Sequence, residues 1–212
     1  MGKQPWKPGN MVYPLPAVMV SCADKEGLNN FITVAWTGTV CTNPAMAYIS
    51  VRPERHSYKM IRESGEFVIN LTTEKLAYAT DWCGVRSGRD FDKFKEMKLT
   101  ASEAESLDYA PIIEECPVNI ECKVVEVKEL GSHHMFLAEV KAVRVDESYM
   151  NENGKFELNK TGLLAYSHGE YFGLGKSIGT FGWSVKKPEK KAVTKKKQVA
   201  KKPVKKKSKT KK

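Results

Sequence analysis

The sequence predicts an antiparallel β-barrel decorated with helices, and not a doubly wound parallel sheet. Three observations lead there: the strand-like runs are short, most are joined by hairpin turns, and the helical segments are inserted between them. Taken in order, Pro14-Leu15-Pro16 opens onto an apolar strand at 17–22, and Asp24-Lys25-Glu26-Gly27 supplies the turn to a second strand running from Phe31 through Thr37. Thr42-Asn43-Pro44 then leads into a third run at 45–51. Residues 57–64 have helical character with Tyr58, Met60 and Ile61 on one face, 67–71 return as a buried strand, and 73–82 read as a helix. Residues 87–98 suit a polar loop leading into a short helical turn, with Phe91 and Phe94 three apart. A second hairpin follows from 118–127, which alternates apolar and polar, through Gly131 to 135–145. Asn151 to Gly154 turn the chain again, and 163–166 form a final strand before Gly169, Gly173, Gly175 and Gly179 break regular structure.

The formal net charge of +10 belongs to the C-terminus. Residues 186–212 hold fifteen Lys against one Glu, or +14, whereas residues 1–185 carry 20 basic and 24 acidic groups, or −4. A basic pI therefore does not make the fold a nucleic-acid binder. Beyond Ser184 the chain has no aromatic residue and too little apolar surface to offset ordering entropy. The expectation is one domain at 1–184 followed by a disordered Lys-rich tail at 185–212. No run approaches the roughly 18 apolar residues of a membrane span, and the first ten residues lack an apolar signal core, so a cytoplasmic location is expected. The five Cys show no Cys-x-x-Cys spacing and are odd in number, which favours reduced thiols. Cys116 and Cys122 with His133 and His134 fit no common zinc spacing, and no metal site is expected.

Residues 29–58 carry the most chemistry. The run 45–51 ends in Arg52-Pro53-Glu54-Arg55-His56-Ser57-Tyr58, where Arg forks, hydroxyl donors and a helix beginning near Ser57 converge. Such a cluster suits a phosphate, since Arg presents paired donors and a helix start offers free backbone N–H groups. A solvated charge cluster is the plain alternative, and for Trp36 it is a core aromatic. Ser87-Gly88-Arg89-Asp90 with Lys93 adds a second polar loop, with Gly88 allowing close backbone approach. There is no Gly-x-Ser-x-Gly, His-Glu-x-x-His or Walker loop to support a hydrolase or nucleotidase.

Three motifs in one order, Asn30-x-x-Thr33-Val34-Ala35-Trp36, Ser50-Val51-Arg52-Pro53-x-Arg55-x-Ser57-Tyr58 and Ser87-Gly88-Arg89-Asp90-x-Asp92-Lys93-Phe94, resemble the flavin reductase-like, FMN-binding split-barrel family, especially its flavoredoxin branch. The resemblance covers about residues 12–177. It implies a mainly β fold, a six-stranded antiparallel Greek-key barrel with inserted helices. It also implies FMN held by Asn30, Thr33, Val34, Ala35, Trp36, Ser50, Val51, Arg52, Arg55, His56, Ser57, Tyr58, Ser87, Gly88 and Lys93. Gly131-Ser132-His133-His134-Met135-Phe136 resembles the family's Gly-Asp-His-x-Ile-Phe, whose His lies near the nicotinamide site, so His133 is the catalytic candidate. Ser132 replaces the Asp, removing a partner that could orient the imidazole.

The function implied is an FMN redox flavoprotein, flavoredoxin-like in electron or hydride transfer and homodimeric, with NAD(P)H or a redox protein as donor. An NAD(P)H-dependent flavin reductase is the first alternative. A non-catalytic flavin-binding module whose Lys tail takes nucleic acid or an anionic surface nonspecifically is the second.

Overall fold

The computed structural model describes residues 1–186. Chain packing separates residues 1–175 from 176–212, and all strands and α-helices named below lie in the first unit. The expected tail at 185–212 lies outside the described residues except for Val185 and Lys186. In chain order the elements are β1 (Leu15–Pro16), β2 (Val18–Ala23), β3 (Asn29–Val34), β4 (Thr37–Thr42), β5 (Ala45–Val51), α1 (His56–Ser64), β6 (Glu66–Leu71), α2 (Ala77–Val85), α3 (Lys93–Met97), β7 (Ala101–Ser102), β8 (Ile112–Ile113), β9 (Val118–Leu130), β10 (His133–Val145), β11 (Leu164–Ser167) and β12 (Glu170–Gly173). Among the described residues no helix is long and apolar enough to cross a membrane.

The main sheet has seven strands in the order β3-β2-β6-β9-β10-β5-β4, all neighbours antiparallel. This corrects the expected six. The run 31–37 is not one strand: it breaks at Ala35-Trp36, and the chain resumes at Thr37 as β4, paired with β5. Composition hid β4, because it contains Gly38 and exposes Thr39 and Val40. Gly38 has a packing reason, since a Cβ there would come within 3.1 Å of the Tyr48 ring. The Thr37 hydroxyl donates to the Tyr48 carbonyl at 2.7 Å and starts the strand.

Alternation along β2 and β6 buries both faces. Val18, Val20, Cys22, Phe67 and Ile69 join Ile49, Val51, Phe136 and Ala138 in the main core. Helix α1 adds Tyr58, Met60 and Ile61 to that core and stops at Gly65, whose left-handed backbone returns its N–H to the Ile61 carbonyl. On the other face, Met19 and Phe31 pack with Cys83, Phe94, Ile113 and Cys116. Polar groups fix the covering segment: Asn70 donates to the Met19 carbonyl (2.9 Å) and accepts from Asn119 (2.8 Å) and the Ile113 N–H (3.0 Å). Glu66 accepts from the backbone N–H of Asp108 and Tyr109, and Glu121 from those of Glu105 and Ser106, so two buried carboxylates hold residues 105–109 in place.

β3 and β4 are consecutive in sequence yet stand at opposite ends of the strand order, joined only by Ala35-Trp36. The Ser50 N–H donates to the Trp36 carbonyl at 2.8 Å, tying that link to β5. A small separate sheet, β1-β11-β12, forms beside it, with Tyr166 of β11 next to Tyr171 of β12.

Candidate functional site

An edge strand leaves backbone N–H and C=O groups without a ladder partner, and cavities follow the free edge of β3. The first, about 350 Å³, is lined by Ile32 through Trp36, by Ser50, Val51, Arg52 and Arg55, and by His133. Helix α2 supplies Asp81, Gly84 and Val85 to its wall, and the small sheet supplies Tyr166, Gly169 and Tyr171. The size is that of a small-molecule cleft. Trp36 and His133 present nearly parallel rings, 5° apart in plane with centroids 6.2 Å apart. Thr33 is pinned to α2 by a hydrogen bond from its hydroxyl to the Thr80 carbonyl.

A second cavity, about 160 Å³, continues from the first through Ile32, Arg55 and Gly84. Its character is cationic: Arg55, Arg86, Arg89 and Lys93 line it with His56, Ser57 and Ser87, and Glu54 is its one acidic residue. Glu54 is engaged by Arg52 at 3.3 Å. Arg55 caps α1 without a side-chain bond to it, which leaves first-turn N–H groups free at this point. Lys93 is almost fully buried and gives hydrogen bonds to the carbonyls of Phe31 (2.8 Å) and Cys83 (2.7 Å). Burial lowers its pKa to about 8. The neighbouring Cys22 and Cys83 thiols are pushed up to about 12 by burial, so they stay protonated and give Lys93 no counter-charge at neutral pH.

Two histidines report the same field. His56 is held below its ordinary value by burial and by Arg89 and Lys93; His133 is lowered by burial and by Arg52 and Arg55. Burial, the larger cause, disfavours charge of either sign, and the smaller contribution of the arginines and Lys93 is the part that reports a cationic surrounding.

Of the residues singled out in the sequence, Thr33, Val34, Ala35, Trp36, Ser50, Val51, Arg52 and His133 line the first cavity, Asn30, His56, Ser57, Ser87, Gly88 and Lys93 the second, and Arg55 both. Tyr58 lines neither: it packs in the core against Phe136, and its hydroxyl meets His134 Nδ1 (2.7 Å) and Arg62 (2.5 Å). Consecutive helical residues point about 100° apart, so Ser57 and Tyr58 face different ways. Asn30 has a supporting part, donating to Ser57 Oγ at 2.8 Å. Gly88 is required less by a ligand than by Asn30, because a Cβ would lie 2.3 Å from Asn30 Oδ1. Ser132 does contact the imidazole, its Oγ lying 3.0 Å from His133 Nδ1, so a neutral orienting partner survives where the sequence suggested its loss. Among the described residues no group of three His, Cys, Asp or Glu converges as a metal site. Asp81, Gly84 and Arg86 were not singled out, since a mid-helix Gly and a lone Arg carry no signal of their own.

A cavity aromatic and nearly neutral at one end and cationic at the other fits a flat ring joined to a phosphate. The comparisons agree in kind. The structure of a flavoredoxin from Desulfovibrio vulgaris superposes with a TM-score of 0.80 at 29% identity, covering 87% of this chain and all of that one. A flavoredoxin from Methanosarcina acetivorans gives 0.79 at 28%, over 88% of this chain and all of that one. An uncharacterized protein of Archaeoglobus fulgidus is 29% identical over 162 residues, 76% of this chain and 88% of the relative. Residues 11–175, which contain every residue lining the two cavities, match the flavin reductase like domain, and the chain belongs to that family.

Proposed function

We propose that the chain binds FMN and serves as a flavoredoxin-like carrier of electrons or hydride, as a homodimer in the cytoplasm, with the flavin domain at 1–184 and the Lys-rich tail an appendage. The observation that carries this is the continuity of the aromatic cavity at Thr33–Trp36 with the cationic pocket at Arg55, Ser57 and Lys93. Bound FMN would supply two-electron redox chemistry through its ring. The chain's own residues have distinct tasks. The backbone of 33–36 and of Ser50–Arg52 flanks the ring's polar edge, with the Ser50 N–H itself engaged by the Trp36 carbonyl. Arg55, Ser57, Ser87 and Lys93 hold the phosphate, and Asn30 orients Ser57 through their hydrogen bond. His133, kept neutral by burial and by Arg52 and Arg55, lines the ring's cavity as a hydrogen-bonding group without charge.

That neutrality supports a second reading, an NAD(P)H-dependent flavin reductase, because a neutral imidazole oriented by Ser132 can dock a carboxamide. Ser132 lacks the charge of the family's Asp, which is why the carrier is preferred. Donor identity is decided by stopped-flow bleaching: slow reduction by NAD(P)H, little changed by His133→Ala, supports the carrier, whereas fast reduction lost in that variant supports the reductase. For the cofactor, freshly purified protein should be yellow, and calorimetry should give FMN a clear advantage over riboflavin. Equal affinities would end the assignment of a phosphate to the cationic pocket.

A further inference from the structure

The two ends of the groove are joined from behind. Ser57 stands in the first turn of α1 and lines the cationic pocket, whereas His133 opens β10 and lines the aromatic cavity. Both occupy element ends, where the backbone is least restrained. His133 pairs with Leu130 of β9, and the pairing of β10 with β5 starts one residue later, at His134 against Val51. The restraint on these two side chains comes from their chain neighbours.

Consecutive residues turn about 100° apart on a helix and to opposite faces on a strand, so Tyr58 and His134 both leave the groove. They meet behind it. The Tyr58 hydroxyl lies 2.7 Å from His134 Nδ1, and the two rings stand edge-on with centroids 5.3 Å apart. Arg62 donates to the same hydroxyl at 2.5 Å, and because a guanidinium accepts nothing, Tyr58 keeps its own proton to give to His134. Glu129 closes the circuit, 3.5 Å from Arg62 and 3.9 Å from His134 Nδ1. Four side chains thus link α1 to β9 and β10. The central bond is shielded, since Tyr58 is 8% exposed and its ring packs edge-on against Phe136. A hydrogen bond enclosed in this way is stronger than one in water.

We propose that Tyr58 and His134 are positioning residues, whose hydrogen bond fixes the span between Ser57 and His133 and so fits the groove to a ligand that engages both ends. The inference rests on the flavin reading above. FMN reaches the cationic pocket and the aromatic cavity together, whereas riboflavin, lacking the phosphate, engages the aromatic end alone. A fixed span strengthens the two-ended ligand and leaves the one-ended ligand unaffected.

Calorimetric titration of the full chain with FMN and with riboflavin tests it. Tyr58→Phe keeps the buried ring and removes only the hydroxyl; it should weaken FMN about fivefold, the scale of one neutral hydrogen bond, with riboflavin unchanged. His134→Leu should do the same, and His134→Asn, whose side-chain carbonyl can accept in place of Nδ1, should keep most of the wild-type advantage of FMN. In the FMN-loaded protein the His133 imidazole nitrogen resonances should move in Tyr58→Phe. A parallel loss for the two flavins, no change in either, unmoved His133 resonances, or a Tyr58→Phe chain that does not fold leaves the pair a structural part alone; each overturns the inference and leaves the flavin reading standing. Wild-type protein that binds neither flavin, or binds both equally, overturns the flavin or the phosphate reading and the inference with it.

Discussion

The molecule buries charge in two regions and answers it differently. Glu66 and Glu121 are almost fully enclosed, and each has two backbone N–H donors and a cation, Lys123 at 3.4 Å for Glu66 and Arg144 at 3.4 Å for Glu121. Lys93 is enclosed as deeply, but two carbonyl oxygens are its hydrogen-bond partners, and the surrounding cavity adds Arg55, Arg86 and Arg89 of the same sign. One region is electrically complete within the fold. The other keeps an excess of positive charge that the proposed phosphate would answer, and that imbalance separates the two regions more sharply than burial does.

The contrast can be broken most forcefully at Glu121. Glu121→Ala should cost about 2 to 4 kcal/mol in urea unfolding, because the Glu105 and Ser106 N–H groups lose their acceptor, while the folded fraction keeps its FMN affinity. A loss confined to ligand affinity would move Glu121 into the site and erase the distinction. Arg55→Ala should behave the opposite way: FMN weakens by about 1.5 to 3 kcal/mol, the scale of a charged hydrogen bond, and the urea midpoint hardly moves. Riboflavin affinity is the control, and a parallel fall there would show that Arg55 touches the ring rather than the phosphate. Arg52 should matter less for the phosphate, being paired with Glu54 and placed on the ring's cavity.

Acidity sharpens the comparison further. Lys93 titrates at about 8 in the fold against the ordinary lysine value of 10.5 once unfolded, so between those values the unfolded chain holds a proton that the native chain has lost. Its contribution to stability therefore rises with pH across that window. A bound phosphate favours the ammonium form, so FMN affinity should fall as pH climbs through the same range. Calorimetry at about pH 7 and about pH 9.5, on either side of the folded value, checks this. Lys93→Met should flatten the profile; an unaltered slope in that variant would assign the effect to another group. The smallest effect is expected from deleting residues 187–212, which should leave flavin affinity and thermal melting unchanged while abolishing any salt-sensitive association with nucleic acid.

Most of this architecture could be read from residue order. The strands at 18–23, 45–51 and 66–71 stand within a residue of where the short apolar runs and turn residues put them, and the residues of the linked motifs Thr33–Trp36, Arg55, Ser57 and Lys93 line one continuous groove. Three features escaped for identifiable reasons. β4 was masked by Gly38, whose value lies in the Tyr48 ring pressed against it, a contact between strands that local propensity does not register. Tyr58 was grouped with Ser57 by adjacency, although the helix turns one into the core and the other into the cavity. Asp81 and Gly84 reach the cavity only through tertiary packing, and their spacing from the motifs carries no period to detect.

The two-residue join at Ala35-Trp36 has a mechanical consequence. A sheet whose end strands are linked covalently but share no ladder can open along one seam without losing a paired strand. The 350 Å³ cavity lies on that seam, touching β3 from Ile32 to Val34 and the end of β5 from Ser50. A ligand seated there works as a rivet: amide exchange at Val34 and Ser50 should slow together on binding, whereas exchange at Ile69 and Ile120, deep in the ladder of β6 and β9, should register the ligand hardly at all.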